Sequence, residues 1–290
     1  RSGSTGGKKR LVAQQQFLSV PECMIRIDMD EKNSAILNKI DSRAVKLGEI
    51  AVVSWGARGV PAEEFHLDRK INEKCKPMIK GKDVKRYSLN YSGKFLLYDL
   101  NMLYRPAFKE LFENQKLVIQ KVTGIQGINA TFDEKNYYTD DSLNCLVLKH
   151  NVAHLGESFF GKRKIGMTSQ DAELSEKVDL KHLLGLINSK LMNFYFKLVL
   201  GYKLNVYPES LENLPIRLAS PSEQQPIIKL VEQMLDMNRT LVGMGDMKTA
   251  ERQRLEEEIR RTDTGIDELV YRLYGITGEE KKIIEASFEE

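Results

Sequence analysis

The spacing of apolar residues divides the chain into a strand-rich part and a helical part, with the change near residue 180. Before it, apolar residues come in short runs between polar turns: LGEIAVV at 47–53, KFLLYDL at 94–100, KLVIQKV at 116–122, Tyr137–Tyr138, and LNCLVLK at 143–149. Their shortness and their β-branched and aromatic content predict strands. In KLVIQKV, Val118, Gln120 and Val122 share one face, which predicts a sheet with one face less buried. Glycines 56 and 59 mark SWGARGV as a loop. The first 45 residues read as locally helical or irregular. Their opening, RSGSTGGKKR, is a polar linker rather than a targeting segment.

From Leu180 the period becomes helical. Leu183, Leu184, Ile187, Leu191, Phe194 and Leu198 form one stripe, and Gly201 is a stop signal. Asn188, Lys190, Asn193 and Lys197 interrupt this stretch, which excludes a membrane span. Pro215 breaks the connector SLENLPI, and a new helix starts at Pro221, with Ser222 and Gln225 at capping-box spacing. Its inner face is Ile227, Ile228, Val231, Met234, Leu235, Asn238 and Leu241. GMGD at 243–246 is a turn. KTAERQRLEEEIRR is a charged helix that needs a neighbour, and a short amphipathic helix closed by Gly275 follows, then one more. The expected fold class is α+β. A lead-in covers 1–45, a β-rich domain with its scaffold helix covers 46–220, and a helical hairpin or small bundle covers 221–290.

Composition changes little in this picture: 41% hydrophobic and 29% charged residues describe a globular chain. Cys23, Cys75 and Cys145 stand in no paired spacing, so they read as small buried apolar residues in a reducing, cytoplasmic setting. The charge distribution is more telling. Residues 69–121 carry 13 Lys/Arg against 5 Asp/Glu, whereas residues 246–290 carry 8 against 13. A basic segment beside an acidic tail implies one anion-facing surface.

Motifs for catalysis are missing. Binding S-adenosylmethionine would need a Gly-rich loop after a strand, and amino-group methylation an Asn/Asp-Pro-Pro-aromatic tetrapeptide; the chain has neither. The acid-x-Lys ending of a Mg²⁺ nuclease motif recurs along the chain, beginning among other places at Asp68, Asp83, Asp179 and Glu279, which is a chance frequency. His66, His150, His154 and His182 lack metal-ligand spacing, and no nucleophile-elbow sequence occurs.

The basic loops have the chemistry that a DNA duplex calls for, where Lys and Arg neutralise phosphates and Arg, Lys, Gln and Asn read base edges. KCKPMIKGKDVKRYSLNYSG at 74–93 supplies Lys80, Lys82, Lys85 and Arg86. QKVTGIQGINATF at 120–132 supplies Lys121, Thr123, Gln126 and Asn129 around two glycines. GKRK adds Lys162, Arg163 and Lys164.

The ordered series KPMIKGKDVKRY, KLVIQKVTGI, FDEKNYYTDDSLNCLVLK, LLGLINSKLMNFYFKL, ENLPI, SEQQPIIKLVEQML and IDELVYRLYGIT resembles the C-terminal specificity region of TaqI-type N6-adenine DNA methyltransferases and fused restriction–modification enzymes. The resemblance covers roughly 45–285. It implies a β-rich target-recognition domain that binds double-stranded DNA sequence-specifically and works with a methyltransferase domain or subunit of a type II system. It also implies that Arg58 in SWGARGV lies near the cleft between DNA and methyltransferase. The chain itself is then expected to be no enzyme and to hold no cofactor or metal; S-adenosylmethionine and Mg²⁺ belong to the catalytic domains. Two other readings stand beside this one: a divalent-metal nuclease, and a subunit whose acidic helices dock a catalytic chain.

Overall fold

The computed structural model describes residues 31–122, 127–155, 159–160, 163–164, 167–200, 205–245 and 248–289, with backbone alone at 159–160, 163–164 and 200. The architecture is α+β, in three layers. The middle layer is an antiparallel sheet in the order β2 (Ala51–Trp55), β11 (Leu143–Leu148), β8 (Lys116–Gln120), β9 (Ala130–Asp133). Strand alternation sends Ala51, Val53, Leu117, Ile119, Ala130, Leu146 and Leu148 to one face, where the helices pack. Val52, Val118, Leu143, Cys145 and Val147 point to the other face. There they meet a second sheet, β10 (Tyr138–Thr139), β4 (Cys75–Ile79), β7 (Lys94–Leu97), β3 (His66–Leu67), and the short helix α2 (Lys109–Glu113). The middle sheet is therefore buried on both faces, not half exposed as the alternation in KLVIQKV suggests. Cys75 and Cys145 are buried and free, as expected, and burial pushes the Cys145 thiol up to about 11; Cys23 lies outside the described residues.

The helical layer begins with α1 (Glu31–Asp41) and includes α3 (Ser169–Glu176), α4 (Leu180–Asn188) and α5 (Lys190–Tyr195). The stripe predicted as one helix is broken at Ser189, whose extended backbone ends α4 while its hydroxyl caps α5 by accepting from Met192 N. The interrupting asparagines turn inward. Asn188 exchanges two hydrogen bonds of 3.0 Å with the backbone of Ala130. Asn193 Oδ1 accepts from Ile128 N at 2.6 Å. Both therefore tie the helices to the edge strand β9.

After β14 (Pro215–Arg217), which pairs with β1 (Ala44–Lys46), come α6 (Pro221–Gly243), α7 (Ala250–Tyr274) and α8 (Gly278–Ala286). Ser220 with Glu223, rather than Ser222 with Gln225, forms the capping box of α6, because Pro221 is already the first helical residue. The two helices expected beyond the turn are one continuous α7, ended as predicted by Gly275 in the left-handed region (φ 68°). Residues 47–50, expected as strand, form a helical turn held by Lys46 and Glu49 before β2 begins. The tail helices share one continuous core with α4 and the middle sheet, so the boundary expected at 220 does not separate two cores.

Two buried groups make stability pH-dependent in opposite senses. Burial holds His182 of α4 down to about 4, and neither ring nitrogen has a partner among the described residues. The unfolded chain takes that proton below its usual pKa of about 6.5. His182 thus withdraws on the order of 3 kcal/mol as pH falls from 6.5 toward 4. Burial raises Asp267 of α7 to about 6, although it accepts from Lys190 N at 2.8 Å. Its ionised form is a cost at neutral pH that is relieved as pH falls through 6. Asp267→Asn keeps the acceptor, so it should raise Tm by several degrees at pH 7.5 and by little at pH 4, read by thermal denaturation. His182→Leu should flatten the loss of stability between pH 6.5 and 4.

Candidate nucleic-acid interface

Several of the residues predicted to bind an anion lie where the middle sheet ends. Trp55 of β2 stands opposite Asn144, Asn144 opposite Ile119, and Ile119 opposite Ala130. One step further out lie Gly56, Gln120, Lys121, Asn129 and the turn Asp140–Ser142. Gly56 crosses this turn so closely that a Cβ would stand 2.3 Å from the Asp140 carbonyl oxygen. Gly81 brings the first basic loop to the same place: its N–H donates to Ser142 Oγ at 2.8 Å and its carbonyl accepts from Gln120 Nε2 at 2.7 Å.

Arg58 lies at the centre of this end. Its backbone exchanges two hydrogen bonds with Arg105, 2.7 and 3.0 Å long, in an antiparallel bridge. The Arg58 guanidinium stands over the Tyr104 ring at 5.8 Å, and that of Arg105 over the Trp55 ring at 4.8 Å. Lys121 Nζ reaches the same indole at 5.8 Å, and Tyr207 meets it edge-on at 6.1 Å. Asp141 Oδ2 stands 3.7 Å from Arg58 Nε and 3.6 Å from Arg105 Nη2. Half-burial pulls the Arg105 guanidinium below its usual range, with Asp141 opposing. Tyr104, Val122 and Tyr207 are exposed large side chains on this surface. Sequence reasoning missed Trp55, Tyr104, Arg105, Asp141 and Tyr207. One signal was available: the chain's single tryptophan directly precedes the loop that carries Arg58.

Lys80 is partly spent inside the protein. Its ammonium donates to His66 Nδ1 at 2.7 Å, which leaves the Nε2–H of a neutral His66 facing Asp140 Oδ2 at 3.9 Å. Burial, then Lys80, lowers the His66 pKa. Lys82 and Lys85 are exposed. Asn129 is half-buried and gives its amide N–H to Gln120 Oε1 at 3.0 Å.

Arg86 is a correction. It forms the turn of the hairpin β5 (Val84–Lys85) and β6 (Ser88–Leu89), whose tip enters the helical layer. There its Nη1 donates to Asp263 at 2.5 Å and its Nη2 to Asn188 O at 2.8 Å. Its neighbour Tyr87 (φ 56°) is buried in the core beside it. An arginine held in this way ties the β layer to α7 and offers no fork to an outside ligand. Thr123, Gln126 and Lys162 lie outside the described residues. Arg163 and Lys164 form strand β13 (Arg163–Lys164), paired with β12 (Phe159–Phe160).

The acid-x-Lys triplets beginning at Asp68, Asp83, Asp179 and Glu279 each have a carboxylate already engaged. Asp68 pairs with Lys94, Asp83 accepts from Lys80 N, Asp179 caps α4, and Glu280 closes the capping box of α8. Among the described residues no three His, Cys, Asp or Glu converge to hold a metal ion. None of the described helices is long and apolar enough to cross a membrane.

Residues 76–160 match the family described as TaqI-like C-terminal specificity domain, so the resemblance seen in the sequence holds over that stretch. Among solved structures, the chain is similar to the Type IIL restriction-modification enzyme MmeI, which was solved in complex with DNA, with a TM-score of 0.50 and 10% identity. The likeness covers 86% of this chain but 37% of that enzyme, and at this identity it concerns the fold. No curated protein matches the chain.

The single tryptophan makes the site observable. Arg105→Ala should uncover the indole and shift its emission to the red. Arg239→Ala, at an exposed position on α6 paired with Glu134, should leave the spectrum unchanged.

Proposed function

We propose that the chain is a sequence-specific double-stranded DNA recognition module of a type II restriction–modification system, directing an adenine methyltransferase domain or subunit. The observation that carries this reading is the sheet end itself. Arg58 stands there over the exposed Tyr104 ring, Arg105 and Lys121 stand over the partly buried Trp55 ring, and the exposed Lys82 follows Gly81 beside them, within and beside the segment that matches a specificity domain. Exposed lysines supply phosphate neutralisation, and stacked arginines supply groups that can read base edges. Methyl transfer is assigned to the partner. This chain has no Gly-rich cofactor loop after a strand and no Pro-Pro dipeptide, so no step of that chemistry is routed through its residues. The proposed setting is cytoplasmic, where the partner and the DNA would be found together.

Duplex affinity of the purified chain should fall by two or more decades between 50 and 200 mM salt, as release of counterions from several phosphates requires. Lys82→Ala should weaken all sequences alike and make the logarithmic salt slope shallower by about one, whereas changes at Lys121 or Gln126 should relax discrimination between sequences. Fluorescence anisotropy with labelled duplexes measures both effects. Plasmid incubated with the chain and Mg²⁺ should stay supercoiled; cutting that disappears in one acid-x-Lys variant would favour the nuclease reading instead. Absence of duplex binding at low salt, with and without a methyltransferase partner, refutes the proposal.

A further inference from the structure

We infer that Arg58 and Arg105 are a paired guanine reader, with Asp141 as their positioning residue; this deepens the DNA-recognition reading and rests on it. A phosphate clamp needs positive charge and tolerates a mobile ammonium group. The arrangement here does more than supply charge. The two residues are neighbours across a backbone bridge, so their Cα positions are fixed relative to each other. Each guanidinium then lies against a different ring, Tyr104 for Arg58 and Trp55 for Arg105. Pinning two long side chains costs rotamer entropy, and the return is orientation of a planar fork.

The shared carboxylate supports the same conclusion. At 3.6–3.7 Å, Asp141 Oδ2 is close enough to steer both guanidinium groups but outside hydrogen-bond distance of either, so it does not consume their N–H groups. On Arg58 the nitrogen nearest to it is Nε, at 3.7 Å. About half of the Arg58 side chain and 28% of the Arg105 side chain remain open to solvent. Two planar, oriented, partly exposed forks match the O6 and N7 acceptors that guanine presents in the major groove, and guanine is the base that arginine reads most often. A surface built only to hold phosphates would gain nothing from a carboxylate between its arginines. The phosphate contacts fall instead to the exposed lysines, Lys82 foremost.

The test is selection from a randomised duplex pool by the full chain, repeated with Arg58→Lys, Arg105→Lys and Asp141→Asn. The wild type should return a motif with guanine fixed at two or more positions. Each lysine variant should lose the preference at one of them by about tenfold or more while affinity for unrelated duplex stays within about threefold. Replacing that guanine by 7-deazaguanine, which lacks the N7 acceptor, should weaken the wild type and leave the matching lysine variant unaffected. Asp141→Asn should bind unrelated duplex more tightly and discriminate less. An unchanged circular-dichroism melt reports that a variant has kept its fold, and for the Arg58 and Asp141 variants unchanged Trp55 emission reports that the site has kept its frame. A motif that survives both lysine changes, or one without fixed guanine, overturns the pair as a reader while leaving DNA recognition intact. A uniform loss on all sequences with Arg58→Ala and Arg105→Ala, restored by lysine, assigns them to phosphate and overturns it likewise. A wild-type chain that retains no duplex overturns the recognition reading itself.

Discussion

The fold depends on how the edge of the middle sheet is closed. Strand β9 has one neighbour, β8, so its outer backbone groups need partners from elsewhere. The helices provide them through side-chain amides: Asn188 pairs with Ala130 in both directions, and Asn193 takes the N–H of Ile128. An asparagine amide carries a donor and an acceptor side by side, as a strand's peptide group does. Ser189 breaks the helix between these two residues and turns α5 away, so both amides reach the strand from one short segment. Removing the Asn188 amide would leave the Ala130 N–H unsatisfied, and removing that of Asn193 the Ile128 N–H, at roughly 1–3 kcal/mol each, while the Ala130 carbonyl would keep its bond from Tyr87 N.

The same edge fixes where the protein can meet a ligand. With helices on one face and a second sheet on the other, the middle sheet offers only its ends. At one end the loops from β2, β8, β9 and β11 emerge together, and the register that pairs Trp55 with Asn144 brings Lys121 and the Asp140–Ser142 turn within reach of the indole. The hairpin that contains Arg86 runs the opposite way and ties the β layer to Asp263 of α7. Basic residues adjacent in sequence are thus divided between the solvent-facing surface and the interior. Lys82 and Lys85 face water, while Arg86, one residue further on, is part of the interior frame.

Much of this was legible in the sequence, for definable reasons. The main strands were marked by short apolar runs, and the helical layer by its period. Lys82 and Lys121 were marked by loops that glycine and charge make conspicuous, and Arg58 by the family resemblance alone. Arg86 was misread because a charge run carries no information about the direction in which a two-residue hairpin points. Arg105 was missed because it stands apart from the charge clusters, and only the backbone bridge to Arg58 brings it into the site. The asparagines of the apolar helix looked like interruptions because linear periodicity cannot show a sheet edge in need of hydrogen bonds. The single long helix α7 was divided in two because Thr262–Gly265 looks like a break, and packing against α6 overrides that local preference.

The turn between β10 and β11 shows how the site balances charge against order. Its two consecutive aspartates serve different cations. Asp140 accepts from Ser142 and faces the His66–Lys80 pair, while Asp141 sits between Arg58 and Arg105. Both carboxylates lower the positive potential of the surface, which for a sequence-blind polyanion binder would be pure loss. Their effect on geometry is the opposite. Like charges such as Arg58 and Arg105 repel when brought together on a bridge, and an acid between them lets both stay close, each against its own ring. The neutral His66 holds Lys80 in place by accepting a hydrogen bond from its ammonium at 2.7 Å. In the proposed DNA-recognition role, this surface would trade part of its attraction for phosphate for cations held in defined places, a trade that favours discrimination between ligands over strength of binding to all of them.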